Sequence, residues 1–211
     1  MDPKQMVAQG YDQIAEKHHW WAGHTRAEER QQYTTFIVEQ VPGGASVLEL
    51  GCGVGLPTTH TLAQHFQVTG VDISARHIML ARQNVPNATF LHADMTALAF
   101  PPASFDAVVA FYSLIHVPRD EQPGLLRDIA GWLKPGGLLV ATMGASDVAE
   151  DIQPDWMGAP MYWSHFDSPT NQRLVQEAGL QIVRATEETA PEDGVPITFL
   201  WVVAQKPQES Q

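Results

Sequence analysis

The stretch Val47-Leu-Glu-Leu-Gly51-Cys-Gly53-Val-Gly55 decides the fold, because an aliphatic run passes directly into three alternating glycines. Pro57 follows them at a position suited to the first turn of a helix, where its missing N–H costs nothing. Glycines let the backbone approach a ligand closely, and the N-terminus of a following helix favours an anionic group. The segment therefore predicts a strand, a ligand-binding loop and a helix, in that order.

Similar aliphatic or β-branched runs recur along the chain, with helical signals between several of them. The runs lie at residues 46–50, 67–71, 88–91, 106–111, 138–143, 181–185 and 197–204. Ser74 is suited to cap a helix over residues 75–84, Ser168 and Pro169 to start another that stops at Gly179, and residues 134–137 predict a sharp turn. This alternation predicts an α/β fold with a mostly parallel sheet and helices on both faces.

The composition restricts the class of protein before any other motif is used. The chain has 211 residues, with 12 Lys and Arg against 24 Asp and Glu, a formal net charge of −12 and 44% apolar residues. One folded domain is expected at this length, and the lack of clustered basic residues argues against nucleic acid or an acidic lipid surface as partner. The lone Cys52 fits a reducing compartment, and we find no secretory signal and no apolar run of about 18 residues. We expect a cytoplasmic protein without a membrane segment, monomeric or homodimeric.

Two segments lie outside the strand–helix alternation. Residues 1–40 predict two helices that form a lid segment, and residues 41–211 predict the core of the domain. Within that core, residues 144–167 form a long connection, which we interpret as a substrate lid. This connection contains five acidic residues and no Lys or Arg, so a strongly anionic substrate is disfavoured, although a solvated acidic loop explains the charge equally well.

The glycine spacing separates two classes of nucleotide-binding protein. Asp72 ends the second strand 21 positions after Gly51, where an acid can accept both hydroxyls of a ribose. A dinucleotide fingerprint requires a third glycine at position 56 or 58, and these positions hold Leu56 and Thr58. The pattern is instead E-x-G-x-G-x-G, beginning at Glu49, and it resembles the first motif of the class I S-adenosylmethionine-dependent methyltransferases.

The resemblance continues through residues 45–204. HADM at residues 92–95 is similar to the family's third-strand acidic motif, and FDAVVAFYSLIHV at 105–117 to its fourth-strand motif. LLRDIAGWLKPGGLLVATM resembles the helix and fifth strand that follow, and WSHFDSPTNQRLVQEAGLQIV the segment before the sixth strand in small-molecule methyltransferases. The resemblance implies a Rossmann-like seven-stranded sheet with an antiparallel last strand, and S-adenosyl-L-methionine as cofactor. It implies cofactor contacts at Tyr11, Glu49, Gly51, Cys52, Gly53, Asp72, Ile73, Asp94, Met95 and Phe111, with Asp94 at the adenine amino group and Met95 beside the ring.

The family also implies that the acceptor lies beyond the end of the fourth strand. His116 is the first candidate for a base or a positioning group, because an unperturbed imidazole titrates near physiological pH, although a helix-end histidine bonded to backbone is an equal alternative. His165 is the second candidate. Expected substrate contacts are Trp20, Trp21, Tyr112, Ser113, Met143, Tyr162 and Trp163. The fourth strand does not end in an N-P-P-Y type tetrapeptide, which disfavours amino methylation of adenine or glutamine. The strand ends also lack the Asp-Asp-Asn set of metal-dependent catechol-type enzymes, so we expect no catalytic metal.

These observations predict methyl transfer from S-adenosylmethionine to oxygen, nitrogen or carbon of an uncharged or cationic small molecule. A non-methylating protein of the same fold, such as a cyclase or a ligand-binding module, is the alternative, because its donor site would look unchanged. A nicotinamide oxidoreductase is a further alternative, against which Leu56 and Thr58 count.

Overall fold

The computed structural model describes residues 1–208, in which the strands form one central sheet and a separate hairpin. The strands are β1 (Ser46–Leu50), β2 (Gln67–Asp72), β3 (Thr89–His92), β4 (Phe105–Ala110), β5 (Leu133–Gly144), β6 (Val148–Trp156), β7 (Ala159–His165), β8 (Gln181–Glu192) and β9 (Val195–Gln205). Seven of them form the sheet in the order β3-β2-β1-β4-β5-β9-β8. Neighbouring strands are parallel along the sheet from β3 through β2, β1 and β4 to β5, and β9 is antiparallel to both of its neighbours, β5 and β8. The expected seven-stranded, mostly parallel sheet with an antiparallel last strand is confirmed.

The helices cover the sheet and precede it. They are α1 (Pro3–His24), α2 (Ala27–Gln40), α3 (Thr58–Leu62), α4 (Ala75–Asn84), α5 (Gln122–Trp132) and α6 (Ser168–Glu177), with short 3₁₀ turns at Met95–Ala97 and Leu114–His116. Asp2 caps α1 by accepting a hydrogen bond from the backbone N–H of Gln5 at 3.1 Å. Arg26 separates the two N-terminal helices in the left-handed region, with φ of 54°. None of the helices within residues 1–208 is long and apolar enough to cross a membrane.

Apolar side chains cover both faces of the sheet. On one face, Ile129 of α5 and Leu180 pack in the same buried cluster as the strands. On the other face, Tyr33 of α2 stacks on Trp201 of β9, with ring centroids 3.9 Å apart and both side chains buried. This two-sided burial is what makes the strands near-continuous apolar runs, which is why the sequence identifies them.

Residues 144–167 form a β-hairpin where the sequence predicts a long connection. Strands β6 and β7 pair with each other and not with the central sheet. Val7 and Ile14 of α1 pack against Met161 of β7 in one apolar cluster. Gly10 permits this close approach, because a Cβ atom there would lie 2.7 Å from the carbonyl oxygen of Pro160. We call α1 together with β6 and β7 the cap layer.

Several predicted boundaries differ from those of the structure. Residues 134–137, predicted as a sharp turn, lie inside β5, whose pairing with β4 shifts register. The β8–β9 hairpin extends to residue 192, past the predicted end at residue 185, because pairing continues to its tip. The cap of α6 is Asp167, whose carboxylate accepts from Thr170 N at 2.9 Å, and not Ser168. Residues 209–211 of the predicted core lie outside the described residues.

Candidate functional site

A cavity of about 710 Å³ lies at the edge of the sheet where the parallel strands end. Its lining includes residues that follow or end five strands: Gly51 and Gly53 after β1, Asp72 of β2, Asp94 after β3, Phe111 after β4 and Gly144 of β5. The cap layer contributes Tyr11, Trp156 and Trp163. Open α/β sheets bind ligands in a crevice outside the carboxyl ends of their strands. This cavity is therefore the candidate functional site.

The glycine loop forms one side of the cavity, and two of its glycines are required for different reasons. Gly51 has φ of 77°, and a Cβ atom there would lie 2.3 Å from Cβ of Ser113. Gly53 has φ of 55°, and a Cβ atom there would meet no atom within 4 Å. Gly51 is thus needed for the close contact between the glycine loop and Ser113, which follows β4, whereas the open space at Gly53 is available to a ligand.

Asp72 presents a carboxylate whose orientation is fixed by three hydrogen bonds. The backbone N–H of Gly53 donates to Oδ2 at 2.8 Å, that of Ser74 to Oδ1 at 2.9 Å, and Nδ1 of His77 to Oδ1 at 3.3 Å. Burial by itself raises the pKa of Asp72, but the charge and hydrogen bond of His77 and the two backbone donors outweigh it, so the pKa lies below its ordinary value. Asp72 is therefore an ionised acceptor at neutral pH.

Asp94 is engaged by α1 as well as by its own turn. Lys4 Nζ donates to its Oδ2 at 2.8 Å and to Glu121 at 2.6 Å, and the Thr96 backbone N–H donates to its Oδ1 at 2.9 Å. Burial raises the pKa of Asp94, but hydrogen bonds from Lys4 and Thr96 lower it overall. The start of the cap layer is thus tied by Lys4 to the segment after β3.

Glu49 and Arg30 form a second polar region beneath the glycine loop. Thr59 donates its hydroxyl proton to Oε2 of Glu49 at 2.6 Å, and burial raises the pKa of Glu49 to about 8. Arg30 donates from Nη1 to the backbone oxygens of Ala22 and Thr25, and within residues 1–208 it makes no ion pair with a carboxylate. Burial lowers the pKa of Arg30. A guanidinium nevertheless keeps its proton at neutral pH, so Arg30 is a cation that lines the cavity.

Tyr11 and His116 form a buried hydrogen-bonded pair between the cap layer and the turn after β4. Nδ1 of His116 donates to the backbone oxygen of Tyr162 at 2.7 Å, which leaves Nε2 as the acceptor for the Tyr11 hydroxyl at 2.8 Å. Burial lowers the pKa of His116 to about 4 and raises the pKa of Tyr11. Both groups are therefore neutral at physiological pH, and both nitrogens of His116 are occupied.

Most of the residues expected at a site do line this one cavity. They are Tyr11, Trp21, Glu49, Gly51, Cys52, Gly53, Asp72, Ile73, Asp94, Met95, Phe111, Tyr112, Ser113, His116, Trp163 and His165. His165 donates from Nδ1 to the backbone oxygen of Ser146 at 2.6 Å, which leaves its Nε2 for other partners. Their location agrees with the expectation, and their individual roles stay predictions.

Three expected substrate contacts do not line the cavity. Met143 and Tyr162 are 2% and 3% exposed, because the side chain of Met143 is buried in the apolar core of the sheet and that of Tyr162 in the apolar cluster of the cap layer. Trp20 is 67% exposed, since it follows the outer surface of α1 while its neighbour Trp21 faces inward. For Tyr162 the part that reaches the site is the backbone oxygen bonded to His116.

Several residues that line the cavity were not among the expected site residues, although the sequence left His18 open as an entrance residue or a surface residue. His18 lies seven residues after Tyr11 on the same face of α1, with ring centroids 4.8 Å apart, and burial lowers its pKa to about 3. The seven-residue spacing from Tyr11, which is two helical turns, could have indicated that His18 faces the same side of the helix. No comparable signal marked Lys4, Arg30 or His77, which reach the cavity from three different helices.

Comparisons with known proteins agree with this geometry. Residues 47–137 match a family model described as a methyltransferase domain. The chain is 34% identical over 146 residues to 2-methyl-6-phytyl-1,4-hydroquinone methyltransferase of Synechocystis sp., an alignment covering 66% of this chain and 42% of that protein. It is 31% identical over 185 residues to the methyltransferase GfsG of Streptomyces halstedii, covering 78% and 65%. The chain therefore spans 42% and 65% of the length of these two curated relatives.

A solved structure shares the fold along nearly the whole chain. The [4+2]-cyclase SpnF superposes with a TM-score of 0.77 at 19% identity, covering 97% of this chain and 96% of that one. Since a cyclase can have this architecture, the fold alone does not decide the reaction.

Proposed function

Because this chain belongs to the class I S-adenosylmethionine-dependent methyltransferases, we propose that its cavity binds S-adenosylmethionine and that the protein transfers the sulfonium methyl group to a small-molecule acceptor. The observation that carries the proposal is that the glycine loop and the ionised, rigidly held Asp72 line one cavity at the ends of the parallel strands.

The residues around the cavity fit this cofactor. Gly53 leaves open space at the glycine loop, and Asp72 offers an ionised acceptor for ribose hydroxyls. Asp94, with Met95 beside it, would contact the adenine. Arg30 is a cavity cation without a carboxylate partner within residues 1–208, and it would pair with the carboxylate of the methionine portion. When bound, the cofactor supplies an electrophilic methyl group, and the chain contributes binding and orientation.

His116 acts on an acceptor through Tyr11. Nε2 of His116 already accepts the Tyr11 hydroxyl proton, so a substrate cannot reach that nitrogen directly. Tyr11 Oη retains lone pairs that can accept a proton from an acceptor hydroxyl. If the bound cofactor gave its methyl group to an acceptor hydroxyl, the hydroxyl proton would pass to Tyr11 and the Tyr11 proton to Nε2 of His116, while the sulfur would leave as the neutral thioether. The resulting imidazolium keeps its hydrogen bond to the Tyr162 backbone oxygen.

The acceptor is an uncharged or cationic small molecule. Trp21, Trp156 and Trp163 line the cavity, and their rings suit an apolar or aromatic group or the face of a cation. Asp151 and Glu187 add carboxylates to the lining, which disfavours a strongly anionic acceptor. His165 is a second candidate for contact with the acceptor.

Cofactor binding is tested by titration calorimetry with S-adenosylhomocysteine. We expect saturable binding to the unmodified protein, and at least a tenfold loss in Asp72→Ala, corresponding to about 1.4 kcal/mol or more. Asp120→Ala removes an exposed carboxylate outside the cavity lining and should bind normally. Absence of binding to the unmodified protein, or full affinity in Asp72→Ala, contradicts the cofactor assignment.

The relay is tested with Tyr11→Phe, His116→Gln and the double variant, using release of S-adenosylhomocysteine in the presence of phenols, quinols and amines. Each single variant should lower turnover of a hydroxyl acceptor by roughly a hundredfold, and the double variant should be no slower, because one relay is lost in each case. If the losses in turnover of the two single variants multiply in the double variant, the two residues act separately. Mass spectrometry of the product, seeking the mass of one added methylene, distinguishes methyl transfer from a non-methylating use of the cavity.

A further inference from the structure

We infer that His77 is a positioning residue for the cofactor, which fixes the Asp72 carboxylate in the orientation that receives the ribose hydroxyls. The inference rests on the proposed function, because it assumes that Asp72 binds the ribose of S-adenosylmethionine. It concerns a residue for which the sequence offers no signal.

The contact itself is short-range and buried. His77 lies in the first turn of α4, five residues after Asp72, and it is 2% exposed. Its Nδ1 donates to Oδ1 of Asp72 at 3.3 Å, the same oxygen that accepts the Ser74 backbone N–H. Oδ2 accepts the Gly53 backbone N–H. One side-chain donor and two backbone donors thus define the carboxylate plane, and His77 is the member that a substitution can remove.

Packing alone does not account for a histidine at this position. Within residues 1–208, Nε2 of His77 has no hydrogen-bond partner although it is inaccessible to solvent. A buried polar atom without a partner costs about 1–3 kcal/mol, and an apolar side chain of similar volume would avoid that cost. What a histidine adds and an apolar residue does not is the hydrogen bond to Asp72.

The cap layer holds the His77 ring in place. Tyr11 packs against it with ring centroids 5.1 Å apart, and His18 with centroids 5.8 Å apart. Asp12 of the same helix accepts hydrogen bonds from the Ser74 hydroxyl at 2.6 Å and from the Arg76 backbone N–H at 3.0 Å. The first turn of α4 is therefore fastened to α1, and two rings of α1 pack on the imidazole that donates to Asp72.

The experiment compares two ligands and three substitutions by titration calorimetry. The ligands are S-adenosylhomocysteine and its 2′,3′-dideoxyribose analogue, which lacks the hydroxyls that Asp72 would accept. His77→Leu removes the donor, whereas His77→Asn places an amide N–H near the position of Nδ1. His77→Gln fills the volume but carries its amide nearer the position of Nε2, so it replaces His77→Leu if that variant does not fold.

We expect His77→Leu to lower the affinity for S-adenosylhomocysteine by about tenfold, which corresponds to the loss of one hydrogen bond to a charged group. The affinity for the dideoxy analogue should stay within about twofold of that of the unmodified protein. His77→Asn should restore most of the loss, and His77→Leu should add nothing in an Asp72→Asn background. If His77→Leu lowers the affinity for both ligands equally, or for neither, the positioning role is overturned. Failure of the unmodified protein to bind S-adenosylhomocysteine overturns the proposed function instead, and with it the premise of this inference.

Discussion

Replacing Glu49 with glutamine should change how the stability of the protein depends on pH. Burial raises the pKa of Glu49 from 4.5 in an ordinary setting to about 8 in the folded protein. Between these two values the folded protein holds a proton that the unfolded chain has released, so the free energy of unfolding falls as pH rises. Below pH 4.5 both states hold the proton, and the stability that it confers is fully present.

The magnitude follows from the two pKa values. At about 1.4 kcal/mol per pH unit, Glu49 reduces the stability at pH 8 by roughly 5 kcal/mol relative to pH 4.5. The amide in Glu49→Gln has no proton to release, and its oxygen can still accept the hydrogen bond of the Thr59 hydroxyl. We therefore expect the variant to match the unmodified protein near pH 4.5 and to exceed its stability progressively up to pH 8.

Urea unfolding followed by tryptophan fluorescence measures this difference at a series of pH values. Glu39→Gln is the matched control, because Glu39 is exposed on α2 and should give a difference that does not change with pH. A difference between Glu49→Gln and the unmodified protein that changes by less than about 1 kcal/mol across the range would refute the raised pKa of Glu49 in the folded protein.

Three further substitutions test other parts of the structure. Gly53→Ala should abolish binding of S-adenosylhomocysteine, because its Cβ would enter open cavity space, and should lower stability by only about 1–2 kcal/mol, the cost of a side chain at a positive φ. The control Gly43→Ala, at an open site with ordinary φ, should bind normally by calorimetry. Glu192→Gln should accelerate hydrogen exchange in the β8–β9 hairpin, because it removes a carboxylate paired with the buried Arg26, and unchanged exchange there would contradict this coupling. Trp201→Leu should cost about 2–4 kcal/mol in urea unfolding, since it loses the buried stack on Tyr33, and a loss below about 1 kcal/mol would disprove the contribution of that stack.

The sequence predicts the cofactor side of the site better than its acceptor side. Gly53, Asp72 and Asp94 lie at or just after the ends of successive parallel strands, so their order along the chain is enough to bring them to one edge. Trp20 and Met143 were expected at the acceptor and lie elsewhere, because helix rotation and strand alternation decide which of two neighbouring side chains faces the cavity. The hairpin of β6 and β7 was likewise not predicted, since β6 is mostly exposed and carries no continuous apolar run.

By itself, the sequence determined the parallel sheet, the glycine loop and the two acids that follow β2 and β3, because these depend on contacts between neighbouring strands and turns. Only the tertiary structure decided the partners of the titratable groups. Tyr11 and His116 are 105 residues apart and meet because Gly10 lets α1 pack closely on β7. Arg30 and His77 likewise reach the cavity because whole helices pack against the sheet and against each other. This packing sets which buried donor faces which acceptor, and the local spacing of residues in the sequence does not indicate it.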